Sequence, residues 1–288
     1  MRKLIPLLIL LVSSPVLAGS DDIVATPMEE VTVVGQPVYV RVKFEYDYGF
    51  GMLNPDAEDL EVRFTLGENG KELGWGYSDD DGIAEVLFDP PGEGKFSIFA
   101  HIIDEEAETY PVEIPVFVFD QDKPVIVSDI DGTLSDLPDY LIPYYSHEAP
   151  TFPDAPEVLR WLSRHANIVY LTNRDDFLYH PTHEFLENQD FPQGPVILNS
   201  WSFYEFPIIS NPLTPAIFKT EVLKELLDRG LLIKLGIGNA NSDALAYHNA
   251  EIPGYIFEYD DEEITFPSIR YDSYKKLKNM LKKRLDLP

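Results

Sequence analysis

The segment Ser128-Asp129-Ile130-Asp131-Gly132-Thr133 sets two carboxylates two residues apart. In extended backbone alternate side chains share a face, so Asp129 and Asp131 can address one reacting group. Gly132 permits a tight turn in which backbone amides, with Thr133 beside them, approach an anion. Later in the chain come a hydroxyl backed by amides in Thr172-Asn173-Arg174, a cation at Lys219, and hard-metal oxygen ligands in Gly238-Asn239-Ala240-Asn241-Ser242-Asp243. A phosphate ester is the substrate that uses all of these groups. Attack by a carboxylate on phosphorus splits hydrolysis into two easier steps through an aspartyl-phosphate. The attack is opposed by repulsion: a like-charge pair at about 4 Å costs ~4 kcal/mol at an effective dielectric of about 20, enough to slow the step about a thousandfold. Mg²⁺ between Asp129 and a phosphate oxygen, with Lys219 and the Thr172 hydroxyl, would offset it. Asp131 would then protonate the leaving oxygen and later deprotonate water.

These residues need elements that bring them to one place. After the polar break Asp120-Gln121-Asp122-Lys123-Pro124, the apolar runs Val125–Val127, Ile168–Leu171, Val196–Leu198, Leu232–Ile237 and Tyr255–Phe257 alternate with longer stretches of helical spacing. That alternation predicts five parallel strands covered by helices. Helix boundaries are marked by Asp154 before Ala155-Pro156, Thr214 before Pro215, Gly230 after Asp228-Arg229, and Ser242 before Asp243. Open parallel sheets bind ligands outside the carboxyl ends of their strands, where all the groups named above fall.

Residues 21–121 read differently. Short alternating runs at Val31–Val34, Tyr39–Phe44, Val62–Phe64, Ala84–Phe88 and Phe96–Phe99 are separated by turn chemistry at Glu68-Asn69-Gly70, Asp79-Asp80-Asp81-Gly82 and Pro90-Pro91-Gly92. About seven strands in this length predict an immunoglobulin-like β-sandwich without the usual Cys pair. Asp79 to Asp81 lack the spacing of a calcium loop and read as a hairpin turn.

The 288 residues carry a net charge of −28, no Cys and 44% hydrophobic residues, which excludes a disulfide scaffold and a disordered chain. Such acidity argues against nucleic acid, whose binding depends on phosphate neutralisation by Lys and Arg. Residues 1–18, with Arg2 and Lys3 before an apolar run ending in Val16-Leu17-Ala18, read as a signal peptide cut near Ala18. The product is then secreted or periplasmic. Against the acidic background, the stretch from Arg270 holds seven bases and two acids, with Tyr274, Leu277, Leu281 and Leu285 at helical spacing. This is read as the closing helix of the sheet, its apolar stripe buried; a peripheral contact with anionic lipid is the alternative.

The ordered set Asp129-Ile130-Asp131-Gly132-Thr133, Thr172 at a strand end, Lys219 in a helix and Gly238-Asn239 through Asp243 resembles the haloacid dehalogenase (HAD) superfamily of phosphohydrolases over residues 122–288. Tyr170-Leu171-Thr172-Asn173-Arg174, Phe191-Pro192-Gln193-Gly194-Pro195 and Phe218-Lys219 narrow the likeness to the lipin-type phosphatidate phosphatase domain. The resemblance implies a Rossmann-like α/β fold with little or no cap, with Asp129 as nucleophile and Asp131 as acid/base. Phosphate would be held by Thr172, Asn173, Lys219, Gly132 and Thr133. Mg²⁺ would take oxygens from Asp129, the Asp131 carbonyl, and Asn239 or Asp243. The chain departs from the lipin pattern at Leu134-Ser135-Asp136-Leu137-Pro138 and the aromatic residues that follow. The resemblance therefore speaks to the chemistry more than to the flap that selects substrate.

The function expected is an exported Mg²⁺-dependent phosphatase for a phosphomonoester, first of all phosphatidate or a related lipid phosphate. The alternatives are a non-catalytic phospholipid-binding module and a phosphatase for soluble phosphomonoesters. Arg174 is expected to reach a second phosphate or headgroup, or to pair with Asp175 or Asp176. His180 and His183 lack an evident third ligand and read as surface or loop-packing residues.

Overall fold

The computed structural model describes residues 23–47, 54–103, 111–137, 142, 146–200, 214–258 and 263–285. The signal segment, and all of the aromatic stretch 138–145 except Ile142, lie outside the described residues. No helix among the described residues is long and apolar enough to cross a membrane.

The first eight strands are β1 (Ile23–Met28), β2 (Glu30–Val33), β3 (Val38–Tyr46), β4 (Glu61–Leu66), β5 (Lys71–Tyr77), β6 (Ile83–Phe88), β7 (Gly94–Ile102) and β8 (Val112–Phe119). They form a three-stranded sheet, β1-β3-β6, and a five-stranded sheet, β2-β8-β7-β4-β5, antiparallel except for the β2–β8 pair. Alternate residues such as Val38, Val40, Val42 and Phe44 of β3 meet Val62, Phe64, Ile98, Ile114 and Val116 in one core, as the period of a strand requires. Asp79 forms the expected turn, its Oδ1 accepting from the amides of Asp81 and Ile83. The sequence reading missed β1, β5 and β8.

Among the described residues the second half has six strands rather than five: β9 (Val125–Ser128), β10 (Asn167–Asp175), β11 (Val196–Asn199), β12 (Ile233–Gly238), β13 (Gly254–Phe257) and β14 (Ile269–Tyr271). All pair in parallel in the order β11-β10-β9-β12-β13-β14. This is the doubly wound order, with β9 at the point where the winding reverses. Helices α1 (Ala155–Ser163), α2 (Tyr179–Asn188) and α5 (Tyr274–Arg284) cover one face through Leu159, Leu162, Phe185, Leu277 and Leu281. Helices α3 (Thr214–Asp228) and α4 (Asn241–Asn249) cover the other through Phe218, Leu223, Ala244 and Tyr247. Two start signals differ from expectation. Asp154 sits at φ 66 before α1 and makes no side-chain cap, while α4 starts one residue before Ser242, with Asp243 in its first turn.

The two halves share a core. Val31, Val33, Phe117 and Phe119 of β2 and β8 belong to the same buried cluster as Leu226, Leu231 and Ile233. Polar contacts reinforce it: Glu29 accepts from the Val196 amide at 2.7 Å and from the Tyr179 hydroxyl at 3.1 Å, and Glu30 pairs with Arg229 at 2.7 Å. His183 lies 3.2 Å from Glu29, in the junction.

Candidate active site

The chain leaves β9 at its carboxyl end and turns at once. The amides of Thr133, Leu134 and Ser135 all point to the Ile130 carbonyl, and Gly132 turns at φ 69. A Cβ on Gly132 would lie 2.2 Å from the Asn239 amide nitrogen, so glycine is required for backbone conformation and for space. The loop is tied from below by the Tyr274 hydroxyl of α5, which donates to the Thr133 carbonyl at 2.6 Å.

Four segments of distant sequence meet here. Lys219, in the second turn of α3, places Nζ 2.6 Å from Asp129 Oδ1 and 2.6 Å from Asp243 Oδ1. The Thr133 hydroxyl bonds to Asp129 Oδ2 at 2.9 Å and to Asn239 Oδ1 at 3.1 Å. Asp243 Oδ2 accepts the amides of Asn239 and Ala240, which fixes the β12–α4 turn around it. Asp129, Lys219 and Asp243 are all buried. Burial and the like charges of Asp243 and Asp131 push the Asp129 carboxyl up to about 7 against the pull of Lys219. Burial works against a charged Lys219, yet its two carboxylate partners hold it protonated beyond the ordinary lysine range.

Asp131 faces a different cation. Arg174 donates Nε to its Oδ2 at 2.8 Å and Nη2 to its Oδ1 at 2.7 Å, a two-pronged clamp; Ser135 adds a bond at 3.1 Å. The guanidinium is itself fixed, with Nη1 donating to Thr182 at 3.0 Å and the Phe185 ring beneath it. The expectation for Arg174 is therefore corrected: it contacts neither Asp175 nor Asp176, and its fork is occupied by Asp131 rather than left for a headgroup. The sequence carried no signal for this pairing, since 43 residues separate the partners.

Thr172 and Asn173 lie within β10, which runs farther than expected, to Asp175. The Thr172 hydroxyl accepts the Arg174 amide at 3.2 Å, and Asn173 accepts from Asn199 of β11 at 3.2 Å. Just beyond, Asp176 lies 3.4 Å from Lys43 of β3, which also approaches Glu45 and Asp56. The first half thus reaches the strand that carries Thr172.

The donor set fits a hard divalent cation. Asp129 and Asp243 each set an oxygen on Lys219 Nζ, and Asp129 and Asn239 each set one on the Thr133 hydroxyl, so the donors nearest the nucleophile are oxygens, which hard cations prefer. The charge count agrees. Lys219 serves two carboxylates and Arg174 a third, so the site is anionic before any phosphate enters.

A doubly wound parallel sheet with a carboxylate pair after its central strand, a buried lysine and an acidic turn after the next strand defines a class: a phosphatase of the HAD superfamily. The chain belongs to the LNS2 (Lipin/Ned1/Smp2) family, whose profile matches residues 92–284. The match begins within the β-sandwich, ahead of β7. No curated protein matches the sequence. Among solved structures, the chain is similar to D,D-heptose 1.7-bisphosphate phosphatase from B. bronchiseptica, complexed with magnesium and phosphate (13% identity, TM-score 0.42, 56% of this chain and 99% of that one). It is also similar to a HAD-superfamily hydrolase from Geobacter sulfurreducens (14%, 0.38, 55% and 96%). A third is the class C acid phosphatase from Bacillus anthracis (23%, 0.32, 42% and 53%).

Proposed function

We propose that this chain is an exported, Mg²⁺-dependent phosphatase acting on a lipid phosphomonoester, phosphatidate or a close relative, through an aspartyl-phosphate on Asp129. The observation that carries the reading is Lys219 bonded at 2.6 Å to both Asp129 and Asp243, with Asp131 held separately at the same sheet edge. An Asp129 oxygen attacks phosphorus while the bond to the leaving alkoxide breaks, and Asp131 supplies the proton that the alkoxide needs. Water then attacks the phosphoryl group, Asp131 takes its proton, and Asp129 is released with inorganic phosphate. Lys219 and Thr133 orient the nucleophile, and the Thr172 hydroxyl donates to a phosphate oxygen. Mg²⁺ bound by Asp129, the Asp131 carbonyl, Asn239 and Asp243 would supply charge neutralisation.

The lipid assignment is supported by the family and by composition. Residues 138–145 and 201–213, of which only Ile142 is among the described residues, include Tyr140, Leu141, Tyr144, Tyr145, Trp201, Phe203, Tyr204, Phe206, Ile208 and Ile209. Export rests on the N-terminal segment.

Phosphate release should be measured with phosphatidate in mixed micelles, sugar phosphates and nucleotides, with and without Mg²⁺, using Asp129→Asn as control. Mg²⁺-dependent release from phosphatidate, absent in the variant, is expected. Turnover of soluble esters alone would remove the lipid assignment, and no turnover of any ester would leave a binding module.

A further inference from the structure

Helix α5 has six bases and no acid in eleven residues, on a chain of net charge −28. Its apolar stripe is already used, since Tyr274, Leu277 and Leu281 are buried against the sheet. What remains outside is cationic: Lys275, Lys276, Lys283 and Arg284 are exposed and Lys282 is half-buried. The neighbouring α1 carries Arg160, which donates to the Asp190 carbonyl, and, just past its end, Arg164.

Three of these bases have partners on the protein: Lys275 with Asp154 at 3.5 Å, Lys276 with Asp272 at 3.0 Å and Lys278 with Glu157 at 3.0 Å. Solvent-exposed pairs of this kind contribute little and exchange readily. Lys278 and Lys282 lie over the Trp161 ring, which directs their stems along the surface. Salt at physiological strength screens charges beyond about 8 Å. A flat anionic surface laid on α5 is therefore opposed by this helix and its margins more than by the acidic bulk behind it. The helix begins at the catalytic loop, because its first residue, Tyr274, bonds to the Thr133 carbonyl. Lys275 and Lys276 consequently stand at the end nearest the site, and Lys282 and Lys283 at the far end.

We infer that the outer face of α5 docks the protein on an anionic phospholipid surface, by charge and without insertion of apolar side chains. That docking serves substrate capture rests on the phosphatase reading; the docking itself does not.

The test uses the chain without its signal segment and vesicles of phosphatidylcholine, alone or with phosphatidylglycerol replacing about a third of the lipid. Phosphatidylglycerol is a diester and presents no phosphomonoester to the site. Cosedimentation is expected with the anionic vesicles only, and should be lost at high salt. Replacing Lys275, Lys276, Lys282 and Lys283 together by Gln should weaken partitioning by about fivefold per lysine, several-hundredfold in all. Thermal midpoint and turnover of a soluble phosphomonoester should stay unchanged. Equal binding to neutral vesicles, binding indifferent to the four substitutions, no binding at all, or stronger binding to duplex DNA than to vesicles would overturn the inference. Docking without turnover of any ester would instead overturn the phosphatase reading and leave this one standing.

Discussion

Arg174 offers the sharpest test of how the site works. Its guanidinium makes two bonds to Asp131 at 2.7 and 2.8 Å and one to Thr182 at 3.0 Å, and its side chain is 1% exposed. Arg174→Lys keeps the charge but cannot reproduce the planar fork, so Asp131 loses its fixed orientation. A mispositioned acid/base group forfeits about 10²- to 10⁴-fold in rate, and because Ser135 still holds one Asp131 oxygen at 3.1 Å, we expect the lower end, about 10²-fold in kcat/KM for an alkyl ester. The loss should depend on the leaving group. An alkyl phosphate needs a proton on departure, whereas p-nitrophenyl phosphate releases a stable phenolate that does not. The assay compares kcat/KM for both esters in Arg174→Lys and in wild type, because kcat/KM reports the transfer to Asp129 and not the hydrolysis, common to both esters, in which Asp131 takes a proton from water. The expected outcome is a loss of about 10²-fold on the alkyl ester and under about tenfold on the aryl ester. An equal loss on both, or none on the alkyl ester, would refute the positioning of Asp131 by Arg174.

Lys219→Met should abolish turnover and, by leaving Asp129 and Asp243 buried without their shared cation, cost about 3 to 5 kcal/mol in denaturant unfolding at pH 8; at pH 5, where carboxyls neutralise, the cost should shrink. Gly132→Ala forces a side chain into left-handed backbone and against Asn239. It should raise the Mg²⁺ concentration needed for half-maximal activity by about 10- to 100-fold, read from a metal titration. At the junction of the halves, burial pushes the Asp175 carboxyl up to about 8, with Asp176 adding to it, and burial likewise pushes Glu45 up to about 7. The folded chain then holds more protons than the unfolded one between about pH 4 and 8. This stability is full at low pH and is lost as pH rises through 7 and 8. The thermal midpoint should fall between pH 5 and 8, and the fall should be shallower in Asp175→Asn and Glu45→Gln.

The site's main chain order was legible because each group follows a strong apolar run or sits in a helix whose start is marked, so Asp129, Lys219, Asn239 and Asp243 could be placed at one edge from spacing. β14 was not legible: Ile269-Arg270-Tyr271 is too short to show a period, and its pairing with β13 is set by tertiary contact. β5 was hidden by Gly74 and Gly76, which break the pattern. The structure gives the reason for Gly76: a Cβ there would meet the Glu85 carbonyl at 2.6 Å, where β5 approaches β6. β1 and β8 each contain a proline, at Pro27 and Pro115, which demotes a run as a strand. The Arg174–Asp131 clamp and the reach of Lys43 to Asp176 join side chains across separate elements. Neither leaves a trace in local spacing.

Val31, Val33, Phe117 and Phe119 lie in one apolar mass with Leu226 and Leu231. A cut at the polar break before Pro124, the natural place to excise a catalytic fragment, would strip the oil from one side of that fragment and leave it adhesive. The amino-terminal portion is in this sense a foundation wall, and heating should bring both portions down in a single transition.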